Sequence, residues 1–532
     1  MVDTHTSSAG AERAFVLGID GVPWDLIRKW IEVGELPHFE TLFEDGAVGP
    51  LESTVPPMTP TAWPSIATGV WPDKHGIYGF QRLESDHTQR MNTSEDLRQP
   101  PLWQQLSPAV VGNVPMTYPA GDVDGRMVAG MVSPQMAEGF THPPEFADEI
   151  REEIPDYKIG LNWYDYHGNE TAFKSDLASL VAARRKLMNR LMDIEDWQLF
   201  FFVYTAPDRL QHLIWDEKVI LEHYKQLDDI LGDVIEYVSG RNANLFVVSD
   251  HGFGPVSTLV HLNAVLANGG YLARKRQDGT RSSLARLGIT KSNVLETLKR
   301  FGVDNGRFVN SLPKPLVDRI AERVPGDHGL YDVDFSETVA FAHGPSYIYV
   351  NDSNRFGHGI VPPEDVPELK RELASLFSDL TDPETGEEVV TVSDGDDLFP
   401  TDTASPDLVV VGNDGYEEKT NVTDSVFSAA ETEMAGHRSR GVFFAWGPNV
   451  KDCDPVADLS VVDVAPTVLH SIGEPIPENV DGAVQNELLE TSRDLAVRSV
   501  EVRQNANETT DTQRDDDFDG VEERLRGLGY ME

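Results

Sequence analysis

A chain of 532 residues with 40% apolar side chains can bury a large core, and its length allows more than one domain. Aspartate and glutamate number 89 against 44 lysines and arginines. The resulting net charge of −45 excludes nucleic acid polymers and anionic membrane surfaces as bulk partners and reads as a salt-adapted, halophile-like surface. A single cysteine excludes an intramolecular disulfide, and no run of 18 apolar residues is present to span a membrane.

Met1–Glu12 is polar and lacks the apolar stretch of a secretory signal, so residues 1–13 read as a flexible N-terminus and the expected address is cytoplasmic. Ala14–Ile19 is an apolar run ending in Asp20 and Gly21, the pattern of a buried strand that opens into a turn. A helix follows, then a Pro/Thr-rich stretch that leads into a second helix ending at Thr68-Gly69. Val110–Pro115 and Met127–Met131 predict two strands, and apolar spacing near 3.6 predicts a long helix over 171–195. Phe200–Tyr204 predicts a strand. Pro207 then opens a helix near 208–215 that places Asp208 and His212 on one face, one turn apart. A helix over about 219–239 precedes the apolar run Leu245–Val248, which ends in Ser249-Asp250-His251-Gly252. Alternating strands and helices predict an α/β layered fold with a mainly parallel sheet, residues 14–264 forming the first part of its core.

Residues 265–335 break this rhythm. They are locally basic, with Arg274, Lys275, Arg276, Arg281, Arg286, Lys291, Lys299 and Arg300, and read as inserted short helices, either a cap over the site or a peripheral insertion. The core is expected to resume over 336–485. It has strands at Thr338–Ala342, Tyr347–Asn351 and Asp407–Val411, a helix over 364–380, the apolar run Gly441–Trp446 just after Gly436-His437-Arg438, and helical spacing from Val461 to Ile472. Residues 486–532 read as an acidic tail, flexible from about 503, with a short amphipathic helix over Val521–Leu528.

The candidate chemistry lies at the ends of these runs. Open α/β sheets keep their sites at the carboxyl edge of the strands, and there the chain places Asp20, Asp208, His212, Asp250 and His251, with His437 supplied from further along. A mixed Asp/His set without thiolate suits zinc, manganese or iron. Six ligands are too many for one catalytic zinc with an open position and suit two adjacent metal ions. The segment Thr54–Gly69 adds hydroxyls at a helix N-terminus, where a neighbouring divalent ion and the helix amides favour an alkoxide.

In their order and spacing these pieces resemble the type I phosphodiesterase/nucleotide pyrophosphatase branch of the alkaline phosphatase superfamily, over about residues 14–485 with an interruption at the insertion. They are the Asp20 strand, the segment from Thr59 to Thr68-Gly69, Pro72–Gly76, Asp208–His212, Ser249–Gly252 and Gly436-His437. The resemblance implies an alkaline-phosphatase-like α/β/α fold and two divalent ions, zinc or else manganese or iron. Asp208, His212 and His437 would hold one ion, and Asp20, Asp250 and His251 the other, with Thr59 bridging toward it as nucleophile. Thr61 is the alternative nucleophile. The implied activity is cleavage of phosphodiester or pyrophosphate bonds in a small nucleotide-like substrate through a phospho-threonine intermediate. The alternatives are a hydrolase of phosphomonoesters or of other phosphate, phosphonate or sulfate esters on the same scaffold, and a non-catalytic phospho-ligand binder. Relatives carry Asn where this chain has Ala62, so a backbone amide, the Trp63 indole or another segment would have to hold the transferring group.

Other polar residues carry weaker signals. His75, in a turn, reads as structural and His470, inside an apolar helix, as core; His343, Asn351, Thr117 and Tyr118 are candidate substrate contacts. Cys453-Asp454-Pro455-Val456-Ala457 lacks the arginine of a sulfatase signature. Asp515–Gly520 opens like a calcium loop, but Arg526 stands where its last ligand belongs, so it reads as acidic tail.

Overall fold

The computed structural model describes residues 11–134, 136–166, 169–275, 330, 332–453, 456, 458–490, 494–503 and 515–527. Its centre is a nine-stranded sheet. From one edge to the other the strands are Leu459–Ser460, Ala47–Glu52, Arg440–Trp446, Ala243–Val248, Arg13–Ile19, Leu199–Tyr204, Ala109–Gly112, Gly125–Val128 and Thr141–His142. The five strands from Ala243–Val248 to Gly125–Val128 are mutually parallel, and Arg440–Trp446 runs antiparallel beside them. The expected α/β layered fold with a mainly parallel sheet is therefore present. Ala47–Glu52 is a strand that the sequence pattern did not disclose; Gly49 and Pro50 interrupt its apolar alternation.

Side chains alternate across the strands, as a period of two requires. Phe15, Leu17, Phe200, Phe202, Leu245 and Val247 face one layer, built by the helices Trp24–Glu32, Pro37–Asp45, Glu170–Met192 and Glu217–Ser239. Ala14, Val16, Phe201, Val203, Phe246 and Val248 face the other, with Trp63 and Ile66 of the helix Thr59–Thr68 and Val464 and Leu469 of the helix Val464–Ser471. Leu199–Tyr204 is buried on both faces, which explains why it reads as an unbroken apolar run.

The chain from 340 to 412 does not rejoin the central sheet. Ala340–His343, Tyr347–Val350, Leu408–Gly412 and Val390–Asp394 pair in that order as a separate antiparallel sheet with its own core, against which Leu373 and Phe377 of the helix Val366–Ser378 pack. The long strand Gly252–His261 leaves the Asp250-His251 turn. It pairs with Gly415–Lys419 and Phe427–Ala429, and at its start with Ala435–Arg438, so it links the central sheet to this second unit. Most of the basic segment expected over 265–335 lies outside the described residues; its first residues belong to the helix Leu262–Asn268.

The acidic C-terminal segment ends in a helix, Asp515–Gly527, whose Phe518, Val521 and Leu525 are buried with Ile77, Phe80, Met91, Met116, Met131 and Val132. The amphipathic helix expected near 521–528 thus docks on the body of the protein, and the calcium-loop-like Asp515–Gly520 is helical. Among the described residues no helix is long and apolar enough to cross a membrane.

Close packing couples the strand Arg13–Ile19 to the helix Thr59–Thr68. A Cβ at Gly18 would lie 2.4 Å from the Trp63 ring and 2.8 Å from Val203. We expect Gly18→Ala to lower unfolding free energy by about 1–3 kcal/mol, the range for overpacked cores, measured by denaturant titration against wild type.

Candidate active site

Three neighbouring parallel strands deliver the site from their carboxyl ends. Asp20 follows Arg13–Ile19, the Asp250-His251 pair follows Ala243–Val248, and Asp208 sits in the first turn of the helix Ala206–Leu213 just beyond Leu199–Tyr204. Pro207 falls at the start of that helix and His212 one turn on, as the spacing predicts. His437 arrives on the strand Ala435–Arg438, opposite Phe253. Thr59 is the first residue of its helix, with Met58 as the extended residue before it. Asp20, Thr59, Asp208, Asp250 and His251 are fully buried, whereas His212 and His437 keep 13% of their side chains exposed, toward a cavity.

All seven residues singled out in the sequence converge. Nε2 of His212 lies 3.0 Å from Nε2 of His437, and both approach Asp208 Oδ1, at 3.5 and 3.3 Å. A tetrahedral ion with bonds of about 2.0–2.1 Å sets its donors about 3.3 Å apart, so this trio has the spacing of one metal site. Nε2 of His251 lies 3.3 Å from Asp250 Oδ2, 3.7 Å from Asp20 Oδ1 and 3.9 Å from Asp208 Oδ1, which gathers the second set. Thr59 Oγ1 is 3.2 Å from His251 Nε2 and 3.5 Å from Asp20 Oδ1. Ligand atoms of Asp208, His212 and His437, and of Asp20, Asp208 and His251, each lie within 4.8 Å of one another. Asp208 reaches both groups.

Backbone contacts aim these donors. His251 Nδ1 bonds Gly252 O at 3.0 Å and His437 Nδ1 bonds Pro57 O at 2.9 Å. A carbonyl only accepts, so both Nδ1 atoms carry the proton and both Nε2 lone pairs point inward, the tautomer a metal-ligating histidine needs. Gly21 N donates to Asp250 Oδ1 at 3.2 Å, Val22 N to Ser249 Oγ at 2.8 Å, and Gln211 Nε2 to Gly21 O at 2.7 Å, tying the three strand ends together. Oδ2 of Asp250 is buried and accepts no hydrogen bond.

The electrostatics call for a cation. Burial, then the neighbouring carboxylates Asp250 and Asp208, push the Asp20 carboxyl well above its ordinary range; burial and Asp208 do the same to Asp250. Burial also pushes Asp208 upward, but His212 and His437 outweigh it and hold that carboxyl well below the usual range. Burial and the neighbouring His437 keep His251 neutral far below its usual range, and burial lowers His437 too. Neutral imidazoles beside a surplus of buried carboxyl groups fit divalent ions.

Several other side chains singled out in the sequence have their polar atoms engaged elsewhere. Thr61 Oγ1 is spent on Met58 O and Thr54 Oγ1, at 2.9 and 2.7 Å, away from the ligands. The Trp63 indole, considered as a holder of the transferring group, instead donates to Asp20 Oδ2 at 3.1 Å. Ala62 is fully buried in the first turn of the helix. His75 bonds Ser65 and the Ile77 amide, and burial lowers its pKa to about 3, a structural role. His470 is buried in the helix Val464–Ser471. Thr117 caps a turn between Val114 O and Gly130 N, Tyr118 donates to Glu138 O, and Asn351 bonds His87, Phe335 O and Thr338 O; none of the three lines the cavity described below.

His343 does line the cavity. This space of about 390 Å³ runs from His212 and His437 between the hairpin Gln81–Met91 and the antiparallel sheet. Tyr78, Tyr347, Tyr349 and Phe356 supply aromatic walls, and Arg82, Glu417 and Lys419 supply charge, with Glu417 and Lys419 paired at 2.6 Å. Sequence reasoning missed these residues because they come from three distant segments with no shared spacing. The roles of Trp63, Ser249 and Gln211 had no signal beyond their adjacency to predicted ligands.

Comparisons with known proteins bear on the family and the fold. The family model for type I phosphodiesterase/nucleotide pyrophosphatase matches residues 14–442. The chain belongs to that family of phosphodiesterase and pyrophosphatase hydrolases. A search of curated protein sequences returns no match. Among solved structures, human ectonucleotide pyrophosphatase/phosphodiesterase 5 is similar in fold, with a TM-score of 0.51 and 13% identity over 90% of this chain and 100% of that one. The murine protein, solved as an inactive threonine-to-alanine variant in complex with AMP, gives 0.50 and 13% over the same shares.

Because Asp20 and Asp250 hold protons above the ordinary carboxylate range in the metal-free protein, an arriving cation must displace them. Metal affinity should therefore rise with pH. Calorimetric zinc titrations in buffers of different ionisation enthalpy should show net proton release, reduced in Asp250→Asn.

Proposed function

We propose that this protein is a two-metal hydrolase that cleaves phosphodiester or pyrophosphate bonds in a small nucleotide-like substrate, with Thr59 as nucleophile. One observation carries the reading: five Asp and His donors fall in two overlapping groups with Asp250 beside the second, a buried threonine hydroxyl lies against that second group, and His212 and His437 open onto an aromatic-walled cavity. Asp208, His212 and His437 would hold one ion and Asp20, Asp250 and His251 the other, zinc or else manganese or iron. Such ions, when bound, polarise a phosphoryl oxygen and lower the pKa of a neighbouring hydroxyl.

The chain's own residues do the rest. Thr59 Oγ1 starts a helix, whose positive end favours negative charge on that oxygen. The hydroxyl attacks phosphorus in line; a Thr–O–P bond forms, the bond to the leaving oxygen breaks, and the threonine proton goes to the leaving group or to solvent. Water then cleaves the phospho-threonine and restores the hydroxyl. Trp63 fixes Asp20, and the carbonyls of Gly252 and Pro57 fix the rings of His251 and His437, so the donors need little reorganisation. Aromatic walls suit a planar leaving group or base, and the AMP bound by the murine neighbour supports a nucleotide-like ligand. The cavity that His212 and His437 line would also admit a phosphate monoester, which is the second reading on the same scaffold.

Hydrolysis of bis-p-nitrophenyl phosphate and p-nitrophenyl phosphate by the metal-loaded enzyme tests both. We expect the diester to be preferred. Thr59→Ala should lower kcat by at least about 10³-fold, as loss of a catalytic nucleophile does, and Thr61→Ala should change it far less. Preference for the monoester selects the second reading, and full activity in Thr59→Ala removes the nucleophile assignment.

A further inference from the structure

The hairpin that walls one side of the aromatic cavity stands apart from the rest of the fold. Its strands, Gln81–Leu83 and Gln89–Met91, pair with each other and, among the described residues, join no other sheet. A two-stranded hairpin this short is marginal in water, so its position depends on what ties it down. At its root Arg90 bonds Asp96 and Glu84, and the Asn92 amide donates to Phe80 O. At its tip one side chain reaches the antiparallel unit that forms the opposite wall. Ser85, Asp86 and Thr88 are exposed there, whereas His87 in their midst is half-buried.

His87 has a φ of +69°, a left-handed backbone that residues with a side chain rarely adopt. That turn carries its imidazole between two phenylalanines of the other unit. The ring lies 3.9 Å from Phe335 at 25° and 4.7 Å from Phe356 at 17°, stacked on both, with Phe341 edge-on at 5.7 Å. Its Nε2 donates to Asn351 Oδ1 at 3.0 Å. Asn351 Nδ2 is committed to Phe335 O and Thr338 O, at 3.0 and 2.9 Å, so the amide oxygen is held toward the histidine. Gly357 N adds a bond to Ser85 O at 2.8 Å. The cost of the left-handed backbone is thus offset by what the ring reaches. Phe356 belongs to both arrangements: it stacks on His87 and it lines the cavity.

We propose that His87 is a positioning residue of this cavity: it pins the hairpin to the antiparallel unit, holds Phe356 in place, and so sets the width of the slot that receives the planar group of the substrate. The inference rests on the reading of the cavity as the substrate site and is independent of the nucleophile and of the number of metal ions. His87 does not line the slot itself; Gln81, Arg82, Leu83 and Gln89 of its hairpin do. Without the pin the hairpin swings on its root and the slot widens. The metal ligands and Thr59 are carried by the central sheet, its helices and the strand Ala435–Arg438, and keep their geometry. The loss therefore falls on substrate affinity, in KM rather than kcat.

The test compares His87→Gly with His87→Ala in the metal-loaded full chain. Both remove the ring and its N–H. Glycine suits a φ of +69° and alanine does not, so the glycine variant is the more stable of the two. Hydrogen exchange read by mass spectrometry should be faster over Gln81–Met91 in both variants and unchanged in the central strand Ala243–Val248. KM for the p-nitrophenyl ester of thymidine 5′-phosphate should rise about tenfold or more in both, the worth of an aromatic contact and a hydrogen bond together, with kcat and zinc content unchanged. His87→Phe keeps the stack without the N–H and should fall between. A purely structural histidine predicts instead that kcat and thermal stability fall together, with alanine worse than glycine. That pattern, unchanged KM, or unchanged hairpin exchange would overturn the proposal. If the wild type turns over no ester, the hydrolytic reading falls and calorimetric AMP binding replaces KM. Faster hairpin exchange with AMP affinity lowered about tenfold then supports the pin, and unaltered or absent AMP binding overturns it.

Discussion

Three aspartates with no bulk water around them organise this molecule. Asp20, Asp208 and Asp250 are each at most 1% exposed and stand at the ends of adjacent parallel strands, where the sheet's geometry forces them together. Two unit charges about 4 Å apart repel by about 4 kcal/mol at an effective dielectric of about 20, so three ionised carboxylates could not share this pocket unaided. The fold responds in two ways. Burial and the neighbouring carboxylates push the Asp20 and Asp250 carboxyls above their ordinary range, and against burial the two histidines hold Asp208 below it. The Gly21 amide donates to Asp250 and the Trp63 indole to Asp20. What remains unmet is positive charge at the focus of the Nε2 and carboxylate lone pairs. That unmet demand is a stability cost in the metal-free chain and a source of affinity for a divalent ion.

The strand Gly252–His261 turns that focus into a site with an entrance. It begins one residue after His251, carries Phe253 opposite His437, and continues into the unit that roofs the cavity. One continuous element therefore sets the distance between the buried donors and the aromatic walls supplied by Tyr347 and Tyr349. A shift in the second sheet would be felt first at His437, which reaches the site on a short strand with a single long partner. This explains how donors drawn from both halves of the chain come within 3.0–3.9 Å of one another.

Legibility in the sequence followed the same physics. Strands buried on both faces write themselves as apolar runs, so Ala14–Ile19, Phe200–Tyr204 and Leu245–Val248 were readable, and with them every residue that the strand ends present. The i, i+4 spacing of Asp208 and His212 survived because Pro207 fixes where that helix starts. The strands between 340 and 412 form a separate sheet, which was not legible for the complementary reason, while Arg440–Trp446 and Leu459–Ser460 rejoin the central one. The separate strands are as apolar as those of the central sheet, and periodicity cannot tell which sheet a buried strand joins. Trp63 was the subtlest case. Its indole had been weighed as a contact for the transferring group, yet the ring fills the space left by Gly18 and its N–H is thereby carried to Asp20, a pairing between positions 43 residues apart that no local pattern encodes.

Charge gives the last link between sequence and structure. A net −45 spread along the chain hides the fact that its interior is locally the reverse. Arg184 and Arg209 are among its most buried charged groups, and they lie directly behind the carboxylates of the site. Acidic residues on the surface are solvated and screened, and cost little. The few buried cations are not screened, and Arg209 lowers the pKa of Asp20, a proposed metal ligand. Arg209 follows Asp208 on the same helical turn, so the backbone that delivers a carboxylate to the His212–His437 pair delivers a guanidinium beside Gly160. The carboxylate cluster and the arginine cluster are thus two faces of one helix start, and a change in charge on either face must be felt on the other.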